Sequence, residues 1–184
     1  MCIASTCLAL LMLPGTSLAE SVRVQLEPKE VQISDAQNVQ SAIWRDELSV
    51  FKSNLERTKR TIPGVPVATR FTVVTASFRE TDTTALVVSV FLNNCEDSSK
   101  LSLPESLASC PMRVARIKDN KVTVVKSERQ FWFSSAANEY QPSPRVAAKN
   151  FTVMSFDATK KTLTSDVFVD GQIYEKPYVI QLSE

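Results

Sequence analysis

The chain has 184 residues, a formal net charge of +1 and no histidine. Hydrophobic residues make up 43% and charged residues 22%, the balance of an ordinary globular domain. Near-neutral charge argues against nucleic acid or an anionic membrane as partner. The missing histidine removes Ser-His-Asp and Cys-His triads and most zinc sites.

Residues 3–13 read IASTCLALLML. This apolar run suits the core of a signal peptide and is too short to cross a bilayer. Pro14 and Gly15 break it, and Ser17-Leu18-Ala19 offers small residues three and one positions before a cut. Residues 1–19 are therefore expected to be a cleaved signal peptide, although no Lys or Arg precedes the apolar run. Residues 20–184 are expected to form one domain, with no later run long enough for a transmembrane helix. The periplasm is the expected compartment, with the extracellular space as the alternative.

Residues 21–33 alternate (Val22, Val24, Leu26, Val31, Ile33), which predicts one strand broken at Pro28 or two short ones. Ser34 is a suitable N-cap, with Asp35 in the first turn. From there to about residue 60, Trp44, Leu48, Phe51 and Leu55 fall on one helical stripe. Arg57, Lys59 and Arg60 complement the helix C-terminus, and Pro63-Gly64 ends it.

The remainder reads as strands. Residues 71–78 and 84–92 flank a turn at Glu80-Thr81-Asp82. The second run is apolar on both faces, so it is expected to be central and covered on both sides. Residues 113–117 and 122–133 flank Asp119-Asn120, which suits a tight hairpin. Residues 151–156, 163–169 and 173–182 follow, joined by residues 157–161 and by Asp170-Gly171. The expected fold is α+β: one long amphipathic helix on a curved antiparallel meander of about seven strands. A small barrel or a sandwich with one helix is the alternative. Only three glycines serve the chain, and sharply coiled barrels use more, which favours an open sheet.

Cys2 and Cys7 fall in the signal segment, leaving Cys95 and Cys110. An even pair in an exported chain predicts a disulfide, which would stabilise by about 3 kcal/mol in the chain-entropy model. The pair lacks the close C-x-x-C spacing of redox sites. No cofactor is expected: there is no phosphate-cradling glycine loop and no calcium-loop pattern. Asp46-Glu47 and Glu96-Asp97 are adjacent carboxylates, read as solvated surface rather than an acid/base pair.

Three features could carry binding. On a strand, Phe131 and Phe133 face one way and Trp132 the other, so Trp132 is a candidate interface anchor, or else packs under a loop. The cysteine loop bears Leu101, Leu103 and Leu107, either as a recognition surface or as a short helix capping the sheet. Residues 134–145, with Tyr140, form a long connection that could meet a partner. Asn150-Phe151-Thr152 also matches a glycosylation acceptor, relevant only in a eukaryotic host. Two functions are compatible with these residues. The first is an exported non-enzymatic protein of the cell envelope acting through protein contacts, such as an accessory subunit of a secretion or conjugation assembly, or an inhibitor or immunity protein. The second is a ligand carrier or histidine-free hydrolase with a cavity between helix and sheet.

Overall fold

A computed structural model describes residues 21–62, 64, 68–96, 107–134 and 148–182. Its strands are β1 (Val22–Gln25), β2 (Glu27–Gln32), β3 (Arg70–Thr81), β4 (Thr84–Phe91), β5 (Leu107–Lys118), β6 (Lys121–Ser134), β7 (Phe151–Asp157), β8 (Thr162–Val169), β9 (Gln172–Ile173) and β10 (Tyr178–Gln181). Two helices, α1 (Val39–Ile43) and α2 (Arg45–Thr61), lie between β2 and β3. A central sheet runs β2-β3-β4-β5-β6, and an outer sheet runs β1-β7-β8-β10 with β9 on β8; all pairings are antiparallel.

The fold is sheet-rich α+β, but the seven-strand meander is replaced by two five-stranded sheets. Alternation along the central strands makes this possible, because each strand feeds two cores. Val74, Ala76, Phe78, Leu86, Val88 and Val90 pack with Met154, Phe156, Leu163 and Ile180 of the outer sheet. On the opposite face Phe71, Val73, Val87 and Phe91 pack with Ile43, Trp44 and Leu48. β4 is thus the middle strand and is covered on both sides, as its apolar run predicts.

None of the described strands contains glycine, and their irregularities are bulges. β6 carries an extra residue opposite Pro111, where the register shifts between Cys110 and Met112, and the register shifts again between Val114 and Ala115. Proline has no N–H for the ladder, and bulges of this kind bend and twist a strand without glycine. Few glycines therefore do not favour a single open sheet. The first strand breaks at Leu26 rather than Pro28. There the chain leaves β7 for β3, with Leu26 N–H donating to the Thr152 carbonyl (2.9 Å). Pro28 sits within β2, an edge strand, where its missing N–H costs no ladder bond on the open side.

The single helix expected from residue 34 to about 60 is also corrected. Asn38, not Ser34, is the N-cap, its Oδ1 accepting from Gln40 N–H (2.9 Å). Residues 33–38 are spent on turns. The helix then breaks at Trp44 (φ −106°, ψ 24°), and α2 begins afresh. Arg113 Nη1 donates to the Ile43 carbonyl at the break (2.7 Å), satisfying a group the interrupted helix leaves open. Trp44 and Leu48 are buried, whereas Phe51 and Leu55 are only half-buried and the distal part of α2 is exposed.

Near the C-terminus, the strand expected over residues 173–182 is two short ones, β9 and β10, separated by residues 174–177. β5 begins at Leu107, earlier than residue 113, so Leu107 opens a strand rather than lying in a capping helix. Asp119 and Asn120 (φ 50° and 59°) turn the β5–β6 hairpin, and Asp170 and Gly171 (φ 52° and 80°) turn β8 into β9. The β3–β4 turn falls at Asp82-Thr83, with Thr81 paired to Thr84.

Candidate functional site

The layer between helices and central sheet is packed around Trp44, with a hollow of about 240 Å³ at its margin beside Ile33, Ser41 and Leu48. Trp44 Nε1 donates to Ser89 Oγ (2.8 Å), which donates to Gln40 Oε1 (2.6 Å); Gln40 Nε2 donates to Thr75 Oγ1 (3.2 Å), which donates to the Val88 carbonyl (2.8 Å). Every link is satisfied, as burial requires. The Arg113 guanidinium lies 4.6 Å from the Trp44 ring centroid, and its Nη2 donates to Asp46 Oδ2 (2.7 Å). Glu47 lies 3.5 Å from the same nitrogen. The Asp46-Glu47 pair therefore holds Arg113 rather than forming a purely solvated face. The Arg113 hydrogen bond lowers the Asp46 pKa below the ordinary 3.8.

Concavity appears on the other side of the central sheet. β6 is its edge, and among the described residues β6 pairs with β5 alone. Thr152 Oγ1 accepts from Ser134 N–H (2.8 Å) and donates to the Ser134 carbonyl (2.9 Å), closing that edge at its C-terminal end. Beside the remaining edge lies a groove of about 300 Å³. One wall is Gln130, Phe131 and Trp132 of β6, with Leu107 from β5. The floor is Ser165 and Val167 of β8, and the opposite wall is Tyr174, Glu175, Lys176 and Tyr178.

Local structure explains each wall. The loss of pairing after Ile173 lets residues 174–177 leave the sheet, tethered by Tyr174 N–H to the Val167 carbonyl (2.8 Å). Pairing resumes at Tyr178, opposite Ser165. The Phe131 and Tyr178 rings lie 6.1 Å apart at 60°, a tilted contact across the gap between the two sheets. Burial, followed by the nearby Glu128 carboxylate, raises the Tyr178 pKa above 10.0, so its hydroxyl stays protonated at neutral pH. Trp132 is 39% exposed at the rim. Ser165 is 1% exposed, and its hydroxyl oxygen, itself closed off from solvent, has no hydrogen-bond partner among the described residues.

Cys95 and Cys110 are joined by a disulfide, and Cys110 faces Phe131 across the β5–β6 ladder. Glu96, next to Cys95, accepts from Gln130 Nε2 (2.7 Å). The disulfide thus braces β5, the ladder neighbour of the strand that forms one wall, and Glu96 works as a tie for Gln130. Such a bond is compatible with an exported protein.

Of the sequence candidates, Trp132 and Leu107 both line the groove, Leu107 as a buried residue. Leu101, Leu103, Tyr140, Asp97 and residues 1–19, where a signal peptide is expected, lie outside the described residues. Asn150 is buried, and its Oδ1 accepts from Asp170 N–H (3.0 Å), so its amide serves the β8–β9 corner rather than presenting a glycosylation surface. Tyr174, Tyr178 and Ser165 were not singled out from sequence. The available signal was compositional: two of the three tyrosines flank Glu175-Lys176-Pro177. Among the described residues no cluster of His, Cys, Asp and Glu could hold a metal, and no helix is long and apolar enough to cross a membrane. Comparison with protein-family models, curated proteins and solved structures finds no match.

Proposed function

We propose that this is an exported protein that acts without catalysis, receiving a segment of a cell-envelope protein in the groove beside β6. The observation that carries this reading is an aromatic groove running alongside an edge of β6 left unpaired among the described residues. Such an edge offers main-chain hydrogen bonds to an extended segment, while an adjacent pocket selects a side chain. Trp132 is the anchor, being a large, partly exposed aromatic in a recess. The Cys95–Cys110 bond supports an oxidising compartment, the periplasm first. An accessory subunit of a secretion or conjugation assembly and an inhibitor or immunity protein both fit such a surface. A carrier or hydrolase with its cavity between helix and sheet has less support, since Trp44, Phe91 and Leu48 occupy that layer.

The test is site-directed photo-crosslinking in cells exporting the full chain. A benzophenone side chain at position 132 should give one discrete protein adduct, lost on Tyr178→Ala, while the same probe at exposed Val50 gives none. Equal labelling at both positions, or none at 132, would overturn the reading. Sequencing the N-terminus of the exported form should begin at Glu20.

A further inference from the structure

The hollow at the margin of the helix layer is lined by two cations and no acid. It measures about 240 Å³, roughly eight waters of the liquid, which is room for one short side chain. Ile33 and Ala36, from the turns after β2, and Leu48 of α2 supply its apolar part. Arg45, Ser49 and Lys52 supply the rest, and their spacing of i, i+4 and i+7 puts them on one stripe of α2. The acids around them are engaged elsewhere. Asp46 and Glu47 face Arg113, and Glu56 pairs with Lys59 (2.8 Å). Asp35, before the hollow in the chain, accepts from Gln37 N–H (3.2 Å). The side chains of Arg45 and Lys52 make no ion pair among the described residues. Nor does Arg45 serve its own helix: it is the first residue of α2, where a cation opposes the helix dipole.

We propose that this hollow receives an acidic segment of a protein partner, with one carboxylate on Arg45, a second on Lys52, and the aliphatic part between them against Ile33 and Leu48. Charge complementarity selects the sign of the occupant, and spacing selects its form. Seven residues of helix put Arg45 and Lys52 about 10 Å apart along the axis, a separation that suits two carboxylates better than one. Acids two residues apart in an extended segment sit about 7 Å apart at the backbone, and long side chains on both partners close the remainder. The guanidinium of Arg45 can grip its carboxylate with two parallel bonds, while Lys52 acts as a point charge. The chain's net charge of +1 gives no broad field for a polyanion, so two local cations favour a short acidic motif over nucleic acid or an anionic bilayer. This contact is separate from the groove beside β6, which lies on the opposite face of the central sheet.

The probes are acetyl-Glu-Ala-Glu-amide, its neutral isostere acetyl-Gln-Ala-Gln-amide, and propionate, titrated into the exported protein and read by amide NMR shifts. The acidic peptide should bind with a Kd on the order of 1 mM, moving the signals of Ile33, Arg45, Ser49 and Lys52. The neutral peptide should bind at least about tenfold more weakly, the worth of a charge-assisted hydrogen bond. Arg45→Gln should weaken the acidic peptide about tenfold and Lys52→Gln about fivefold. Both side chains are exposed, so the rest of the amide spectrum should stay as in the parent. Arg57→Gln removes the same charge from another face of α2 and should leave the affinity unchanged. Equal binding of the two peptides overturns the proposal. So does an equal loss in Arg57→Gln, which would mean that only net charge matters. Propionate binding as tightly as the acidic peptide would assign the hollow to a free small carboxylate, and displacement of the peptide by vesicles of anionic lipid would assign it to a membrane surface; either result also overturns the proposal. The crosslink at position 132 tests the opposite face, so failure of one site leaves the other standing.

Discussion

Phe131 is buried in the core and Trp132, next in the chain, is 39% exposed. Truncation should separate the two. Phe131→Ala should cost about 3–5 kcal/mol by removing a large core side chain. Trp132→Ala should stay within about 0.5 kcal/mol, the usual range for a surface site. Urea unfolding of the purified variants measures both. The alternation that sends Trp132 outward was legible, because β-strand geometry alone imposes it. That Tyr178 would stand across from Phe131 was not, since it depends on how the two sheets are laid together.

A second residue-scale prediction concerns Ser89, which accepts from Trp44 and donates to Gln40. Ser89→Ala leaves a buried N–H and a buried amide oxygen unpaired and should cost about 3 kcal/mol. The loss should be smaller when made in a Trp44→Phe background, because one of the two stranded groups is then gone. If the two losses simply add, Trp44 and Ser89 are not coupled. Asp46 supplies a pH effect. Its folded pKa is depressed by Arg113, so its contribution is present above the ordinary value of 3.8 and is lost as pH falls through the folded value. Asp46→Asn should therefore flatten the acid limb below about pH 4 and leave the neutral-pH slope unchanged. The carboxylate is largely exposed, so the change in unfolding midpoint is expected to be small.

At the scale of elements, the disulfide and the tight turns are the pieces to perturb. Cys95 and Cys110 are 15 residues apart, and replacing both with Ala should lower stability by about 3 kcal/mol in the chain-entropy model. Intact mass of the chain beginning at Glu20, without reductant, should show no free thiol; two free thiols would refute the bond. Asn120 sits at φ 59°, where glycine pays no steric penalty. Asn120→Gly should then raise stability by up to about 0.5 kcal/mol, readable as a rise of about 1–2 °C in melting temperature. Hairpins at Asp119-Asn120 and Asp170-Gly171 could be read from sequence because a few adjacent residues decide them. The helix break at Trp44 could not. The stripe of Trp44, Leu48, Phe51 and Leu55 is continuous, and the interruption is supported by Arg113, which comes from a strand made much later in the chain.

The described residues stack three layers deep: helices, central sheet, outer sheet. Apolar residues on both faces of β4 announced that something covers each side. They did not say that one cover is a second sheet, because alternating strands can join either one sheet or two. The scarcity of glycine misdirects here, since bulges at Pro111 and near Val125 can bend a strand without it. The two-layer core also explains where the groove lies. Sheet against sheet and sheet against helix are both closed by packing, so space remains where β6 and β10 end their respective sheets without pairing to each other.

The strand that turns at Leu26 also has a consequence in time. Val22 pairs with Phe156 and Gln25 with Val153, so β1 waits for the last fifth of the 184-residue chain. β2, its direct continuation, needs only β3, with Gln32 opposite Arg70. One uninterrupted stretch of backbone thus belongs to an early event and a late one. The central sheet can assemble hairpin by hairpin, whereas closing the outer sheet must bring distant segments together against a larger loop entropy. Refolding should show the burial of Trp44 ahead of the protection of the β1 amides, with Val24 among the last to be shielded from exchange.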